Sequence, residues 1–331
     1  MKIRIDSNWI YIILLTALIG VSVSNNTAVS LSGYSTDNLS IVSGNSGGTY
    51  YYIAAGQAKI LSDTINGLQV TTQSTSGSPT ENMTLVEQNP STLGIVTVDG
   101  FYYAQQGDKE RGFDHPIPGL RAILVGHTAY LYGLSLADSG IATYEDMVGK
   151  RISVPPVGST TYYMALAIIN AYGGNEANSK IIPMSSSEQA DALKDGTVDV
   201  AFMAGGIPQA TVTDLDYAVN LKFLSLDNAM IANLEAEYPF WKSRSIKAKT
   251  YSKQSEDMHC LTVNTLLACN EALDADVVYE ITKVLNEKVD ELAGIHSSGK
   301  EWNRETTEEY LDNDFLIFHE GAKRYYDEVR K

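Results

Sequence analysis

The sequence predicts an α/β protein of two similar lobes, each built on a mainly parallel sheet. Three observations lead there. One stretch occurs twice: LSIVSGNSGGTYYYIAA at Leu39–Ala55 and RISVPPVGSTTYYMALA at Arg151–Ala167 align without a gap. Val42 then matches Val154, Thr49 matches Thr161, and Tyr50 and Tyr51 match Tyr162 and Tyr163. Second, short β-branched runs alternate with amphipathic segments along the chain, the pattern of parallel strands joined by crossover helices. Third, Gly- and Ser-bearing loops follow these strands at residues 44–49, 75–78, 99–100, 155–161, 185–187 and 204–208. Those are carboxyl ends of strands, where such sheets bind ligands.

The chain has 331 residues, enough for two cores, and its 44% hydrophobic and 19% charged content is that of a globular protein. A net charge of -16 argues against nucleic acid or an anionic membrane surface as partner. It leaves room for a small anion, because a local site can oppose the global field. Residues 1–24 read as a secretory signal: Lys2 and Arg4 precede an apolar run from Trp9 to Val23, and Ser22-Val23-Ser24 offers small residues for cleavage. An uncleaved anchor helix is the alternative. No Cys follows the apolar run, so no lipid anchor is expected there. Cys260 and Cys269 share one apolar run; on a single strand they stand roughly 30 Å apart, too far for a disulfide. Neither these residues nor any other spacing forms a metal site.

In order, residues 25–37 form a polar lead-in, followed by a strand at 39–43 and a helix at 50–61. A strand at 68–74 leads to Ser78-Pro79-Thr80-Glu81, which has the form of a capping box with Pro at the first helical position. A strand at 93–98 ends at Asp99-Gly100. Two further strands, at 120–125 and 130–136, are expected to cross between lobes. The second lobe repeats the scheme: strand 151–154, helix 161–172 closed by Gly173-Gly174, strand 180–184, a capping box at Ser185–Glu188, strand 198–203 and strand 221–226. His259–Cys269 returns as a strand to the first lobe, and long amphipathic helices at 277–293 and 306–330 wrap it. The lobes are then 38–128 with 256–331, and 129–255.

At SGNSGGTYY (43–51), STSGSPTEN (74–82), GIVTVDGFYYAQQG (94–107), GSTTYYMA (158–165) and EQADALKDGTVDVAFMAGGIPQATVTDL (188–215), the chain resembles the TAXI-type substrate-binding proteins of TRAP transporters, a branch of the type II periplasmic binding proteins. The resemblance covers residues 38–300. It implies the two-lobed periplasmic-binding-protein type II fold with a hinge, an extracytoplasmic location, and capture of a small organic anion, glutamate-like or a dicarboxylate. It also implies delivery of that anion to the membrane subunits of a TRAP permease, without a cofactor. In the second loop the family usually places Gly where this chain has Thr160.

The repeated loops open two helices, and helix N-termini attract anions through free N–H groups and the helix dipole. Ser46, Gly48, Thr49 and Tyr50 are the candidates of the first loop; Gly158, Ser159, Thr160, Thr161 and Tyr162 are those of the second. One Tyr of each pair faces the cleft and the other packs in the core, position favouring Tyr50 and Tyr162. Ser78 is expected to spend its hydroxyl as a helix cap, which leaves Ser76 and Asn82 for the ligand. Asp99 either binds a ligand amine or caps a helix. Phe202, Gly205 and Gly206 end the matching strand of the second lobe. Arg121 and Arg151 start strands, the wrong end for the cleft, and read as structural. The loop also fits G-x-S-x-G, which would make Ser46 the nucleophile of a secreted hydrolase, but the element order does not suit one. A stand-alone ligand sensor is the third reading. No P-loop and no dinucleotide fingerprint is present.

Overall fold

In a computed structural model of the chain, residues 29–30, 38–44, 46 and 48–330 are described. The expected signal over 1–24 lies outside them, as does most of the lead-in, although Val29–Ser30 pairs in parallel with Ile65–Asn66.

The first βα series runs β1 (Asn38–Val42), α1 (Thr49–Thr64), β2 (Gln69–Gln73), α2 (Pro79–Gln88), β3 (Thr92–Thr97) and α3 (Val98–Gln106). Its strands are parallel in the order β2-β1-β3. Every residue of β3 is buried, as expected of a parallel strand covered on both faces. β4 (Leu120–Leu136) then leaves this triplet. The second series is β5 (Arg151–Val154), α4 (Thr160–Ala171), β6 (Lys180–Pro183), α5 (Ser186–Lys194) and β7 (Val200–Gly205). Its strands are also parallel, in the order β7-β5-β6. α6 (Ala210–Ala218), β8 (Leu221–Leu224), α7 (Asn228–Glu237) and β9 (Lys242–Ile246) follow, and β10 (Met258–Asn270) returns.

The two parallel triplets belong to one mixed sheet in the order β2-β1-β3-β10-β4-β7-β5-β6, with β8 on β4 and β9 on β10. β4 and β10 run antiparallel through the middle, paired from Leu120 with Asn270 to Leu131 with Leu261, and the register shifts between Asn264 and Leu266. β10 joins the first triplet by pairing Thr265–Ala268 with β3, and β4 joins the second by pairing Tyr130–Ser135 with β7. Cys260 and Cys269 lie on β10 as free, buried thiols; burial pushes Cys260 up to about 12.

Two expectations about elements change. The strands expected at 120–125 and 130–136 are a single strand of 17 residues. Gly126 does not break it; a Cβ there would stand 2.1 Å from the Trp302 ring, so the glycine admits an indole against the strand. Gly126→Ala should overpack this contact and lower stability by about 1–3 kcal/mol, read from the urea midpoint; an unchanged midpoint would mean that Trp302 does not hold this position. The C-terminal helices are shorter than expected. α8 (Ala275–Glu287) buries Val277, Val278, Ile281, Val284 and Leu285 on one stripe, and α9 (Val289–Ile295) follows a break at Lys288. α10 (Arg304–Glu308) and α11 (Glu320–Val329) are separated by a segment that lies against β4. There the Ala122 amide donates to the Ile317 carbonyl at 2.8 Å and the His319 amide to the Ala122 carbonyl at 2.9 Å. Asp312, Asn313 and Asp314 favour turns over helix interior, and this backbone pairing takes the chain out of the helix.

Among the described residues no helix is long and apolar enough to cross a membrane.

Candidate functional site

The carboxyl ends of both triplets face one cavity of about 350 Å³. On the first side β1 ends in Ser43, whose hydroxyl donates to the Gln73 carbonyl at 3.0 Å. The loops after β1 and β2 meet there. Gly77 adopts φ 80, a left-handed conformation suited to glycine, and its Cα would lie 3.7 Å from a Cβ at Gly44. α1 starts after Gly48 with no side-chain cap, and the Tyr51 and Tyr52 amides both turn to the Gly48 carbonyl. Gly48, Thr49 and Tyr50 line the cavity at this helix end. Burial, reinforced by the charge of Asp99, raises the Tyr50 phenol well above its ordinary value, so Tyr50 remains a neutral donor.

On the second side α4 starts at Thr160. Ser159 is its N-cap: its Oγ accepts from the Tyr162 amide at 3.2 Å and donates to the Pro156 carbonyl at 2.7 Å. Thr160 and Thr161 continue the lining, and Gly205 and Gly206 supply the end of β7. A Cβ on Gly206 would stand 3.9 Å from Ser298 Oγ, a group carried by the first half of the molecule.

Thr160 also joins the two sides directly. Its Oγ1 donates to Asp99 Oδ1 at 3.1 Å and lies 2.7 Å from Thr97 Oγ1. Burial pushes the Asp99 carboxyl up, opposed by hydrogen bonds from Thr97, the Gly100 amide and Thr160. Beyond the cavity, the Arg111 guanidinium lies 3.9 Å from the Tyr163 ring centroid and 4.5 Å from that of Tyr103. The Tyr163 hydroxyl donates to the Glu110 carbonyl at 3.0 Å. Of this tyrosine pair, Tyr163 thus engages the opposite half.

The floor comes from the long strands: His127 and Ala129 on β4, Val263 on β10. His127 is 4% exposed. The Trp302 indole N–H donates to its Nδ1 at 3.0 Å, and Thr265 Oγ1 lies 3.0 Å from the same nitrogen. Tyr50 stands edge-on to the imidazole, ring centroids 5.6 Å apart. Burial pushes the imidazole down to about 3, with a smaller contribution from His296.

Several expected site residues lie elsewhere. Asn82 is fully buried; its amide donates to the Ser43 carbonyl at 2.8 Å and the Ile95 carbonyl at 2.7 Å, and its oxygen accepts from Thr75 Oγ1 at 2.8 Å. It ties β1, β2 and β3 together and has nothing left for a ligand. Asp99 neither lines the cavity nor caps a helix; it is the second residue of α3 and holds Thr160. Phe202 is buried and stacks on Tyr144, ring centroids 5.7 Å apart. Ser46, Gly158 and Tyr162 fall outside the lining. The capping box at Ser78 does not form: Ser78 makes no side-chain cap bond, and Glu81 instead accepts from the Ser76 amide at 2.9 Å and from its hydroxyl. Ser76 lines the cavity with its hydroxyl already committed. The box at Ser185 and Glu188 is complete.

Arg121 pairs with Glu271, and Arg151 with Asp199 at 2.5 Å, both away from the cavity as expected. Among the described residues, no Lys, Arg, Asp or Glu lines the cavity. Its chemistry is that of hydroxyls, backbone amides, two helix N-termini and one imidazole. No histidine is hydrogen-bonded to Ser46 among the described residues, and no group of His, Cys, Asp and Glu there has the form of a metal site.

Residues 41–329 match the NMT1-like family. In solved structures the fold is similar to a TctC solute-binding protein from Polaromonas at 14% identity and a TM-score of 0.56, over 88% of this chain and 98% of that one. It is also similar to MatC from Rhodopseudomonas palustris with bound malate, at 12% identity and a TM-score of 0.52, over 88% and 98%. The periplasmic binding protein BugD matches at 14% identity and a TM-score of 0.50, over 88% and 96%.

Proposed function

Because the chain belongs to the NMT1-like family, we propose that it is a non-catalytic, extracytoplasmic solute receptor that takes a small organic anion between two lobes. The lobes are residues 38–128 with 256–331, and residues 129–255, hinged on β4 and β10. One observation carries the reading: the N-termini of α1 and α4, one from each parallel triplet, open on the same cavity, which has no cationic side chain among the described residues. Helix ends favour negative charge, and a ligand touching both can do so only while the lobes are together.

Within this reading the protein is a TAXI-type component of a TRAP transporter and hands its ligand to the membrane subunits of the permease. The ligand is a dicarboxylate or a related anion without an amine. A glutamate-like ligand needs a counter-charge for its ammonium, and Asp99, the residue expected to supply it, is turned to Thr160. A hydrolase centred on Ser46 finds no support, since His127 uses Nδ1 as an acceptor from Trp302.

The test is a thermal-shift screen of dicarboxylates and amino acids, with mass spectrometry of any co-purified ligand. A ligand at a hundred times its Kd adds about 2.7 kcal/mol, a rise of roughly 4 °C at the usual unfolding entropy of about 2.1 cal/mol/K per residue. One ligand should bind per chain, unchanged after incubation. If no small anion shifts the melt, or if a bound one is converted, the receptor reading fails.

A further inference from the structure

We propose that His127 is a ligand-contacting residue, a neutral imidazole that donates Nε2–H to an acceptor atom of the bound anion from the floor of the cavity. The proposal rests on the receptor reading and adds to it a residue outside both helix-terminal loops.

The argument turns on which nitrogen carries the proton. An indole N–H only donates, so Nδ1, 3.0 Å from Trp302 Nε1, has to be the accepting nitrogen. In a neutral imidazole the proton then resides on Nε2. Trp302 is fully buried, and it reaches this position because Gly126 has no side chain in its way. The tautomer is thus set by the packing of a C-terminal segment on β4. Thr265 fixes the ring further; its hydroxyl lies 3.0 Å from both Nδ1 and the His127 carbonyl. Among the described residues Nε2 has no hydrogen-bond partner, although the side chain is almost wholly buried and lines the cavity. The atom itself is not one of the fully buried polar atoms left without a partner among the described residues; it opens on the cavity, where a ligand oxygen can pair with it.

The position selects chemistry. Ala129 and Val263 line the cavity together with His127 and Tyr50 stands edge-on to its ring, so the floor offers one N–H in largely apolar surroundings. A carboxylate, carbonyl or hydroxyl oxygen is accepted there. An ammonium group is repelled, because it brings donors to a donor. The floor therefore discriminates against an amine pointed inward, while the helix termini hold the anion from the sides.

The test uses the full chain labelled with ¹⁵N-histidine, with succinate, L-malate and L-glutamate as probes. The apo spectrum should show His127 as the Nε2–H tautomer at neutral pH, and a bound probe should move the Nε2 resonance. In calorimetry His127→Leu should weaken the best probe by about 10- to 100-fold, and His127→Gln, which keeps an N–H donor, should recover most of that loss. Circular dichroism checks that both variants fold, and the wild-type spectrum decides the matter if His127→Leu does not. An Nδ1–H tautomer, or a bound probe that leaves the Nε2 resonance in place, overturns the assignment and leaves the receptor reading standing. If none of the three probes binds the wild type at millimolar concentration, the assignment falls together with the proposed ligand class.

Discussion

Thr160→Val is expected to weaken ligand capture by about tenfold or more and to expand the unliganded protein. Thr160 Oγ1 is the donor that reaches Asp99 from across the cavity, and Thr97 shares the same hydroxyl. Valine keeps the shape and removes the polar atom, so a carboxylate that is 1% exposed loses one of its few partners. Hydrogen bonds to charged groups contribute about 1.5–3 kcal/mol, and a buried partner left unpaired costs a similar amount. That cost falls on the arrangement in which the halves touch. If only that arrangement binds tightly, the apparent Kd rises as its population falls. Small-angle scattering on the apo protein separates this from a direct ligand contact: Thr160→Val should give the larger radius of gyration and Thr160→Ser should not. Identical scattering and affinity for wild type and Thr160→Val would show that the bridge holds nothing together. The residue stands where the resemblance leads one to expect glycine, which has no hydroxyl to offer.

Stability should fall on acidification in a way that depends on His127. Burial holds the imidazole at about 3 against an ordinary 6.5. Between those values the unfolded chain binds a proton that the folded chain does not. The unfolded state is therefore favoured as the pH drops below 6.5, and the stability is regained as it rises. The slope approaches about 1.4 kcal/mol per pH unit, so moving from pH 7 to pH 5 removes about 2 kcal/mol through this residue alone. His319 is also depressed by burial and acts in the same direction. The raised carboxyl of Asp99 acts in the opposite one. The difference between wild type and His127→Gln isolates the term: urea midpoints of the variant should fall less between pH 7 and pH 5, by about 2 kcal/mol. Parallel pH profiles would mean that the imidazole is solvated in the folded state.

Much of this arrangement was legible in the sequence because its signals are local. The two Gly/Ser loops, the helices they open and the complete box at Ser185 are each set by neighbours within a few residues. Thr49, Tyr50, Thr160 and Thr161 therefore stand at the cavity. Direction was harder to read than position. Asn82, Asp99 and Phe202 occupy strand ends or first helical turns, as expected, yet all three point into the protein. Their partners come from other strands or from the other half, and nothing nearby in the chain announces them. Ser78 and Glu81 had the spacing of a cap, but Ser76 offered Glu81 both an amide and a hydroxyl and took it. His127 stands in no motif that would mark it as a site residue. Its character depends on Thr265 and Trp302, both far along the chain, and a histidine in mid-strand carries no local mark of such partners. The unbroken β4 was missed for the same reason, since Gly126 reads as punctuation until Trp302 is seen beside it.

The two long strands have a mechanical consequence. If the lobes hinge on β4 and β10 as proposed, the pivot falls at the register shift beside Asn264, close to His127. Each arm of β4 is some eight residues, about 26 Å at the usual rise. A rotation of roughly 10° at the fulcrum would carry the far end through about 5 Å, using the same rise. On that hinge, a ligand gained or lost at the floor would alter the contact of Arg111 with Tyr163, which joins the two halves. A membrane partner reading the spacing of the rims would sense occupancy without touching the ligand.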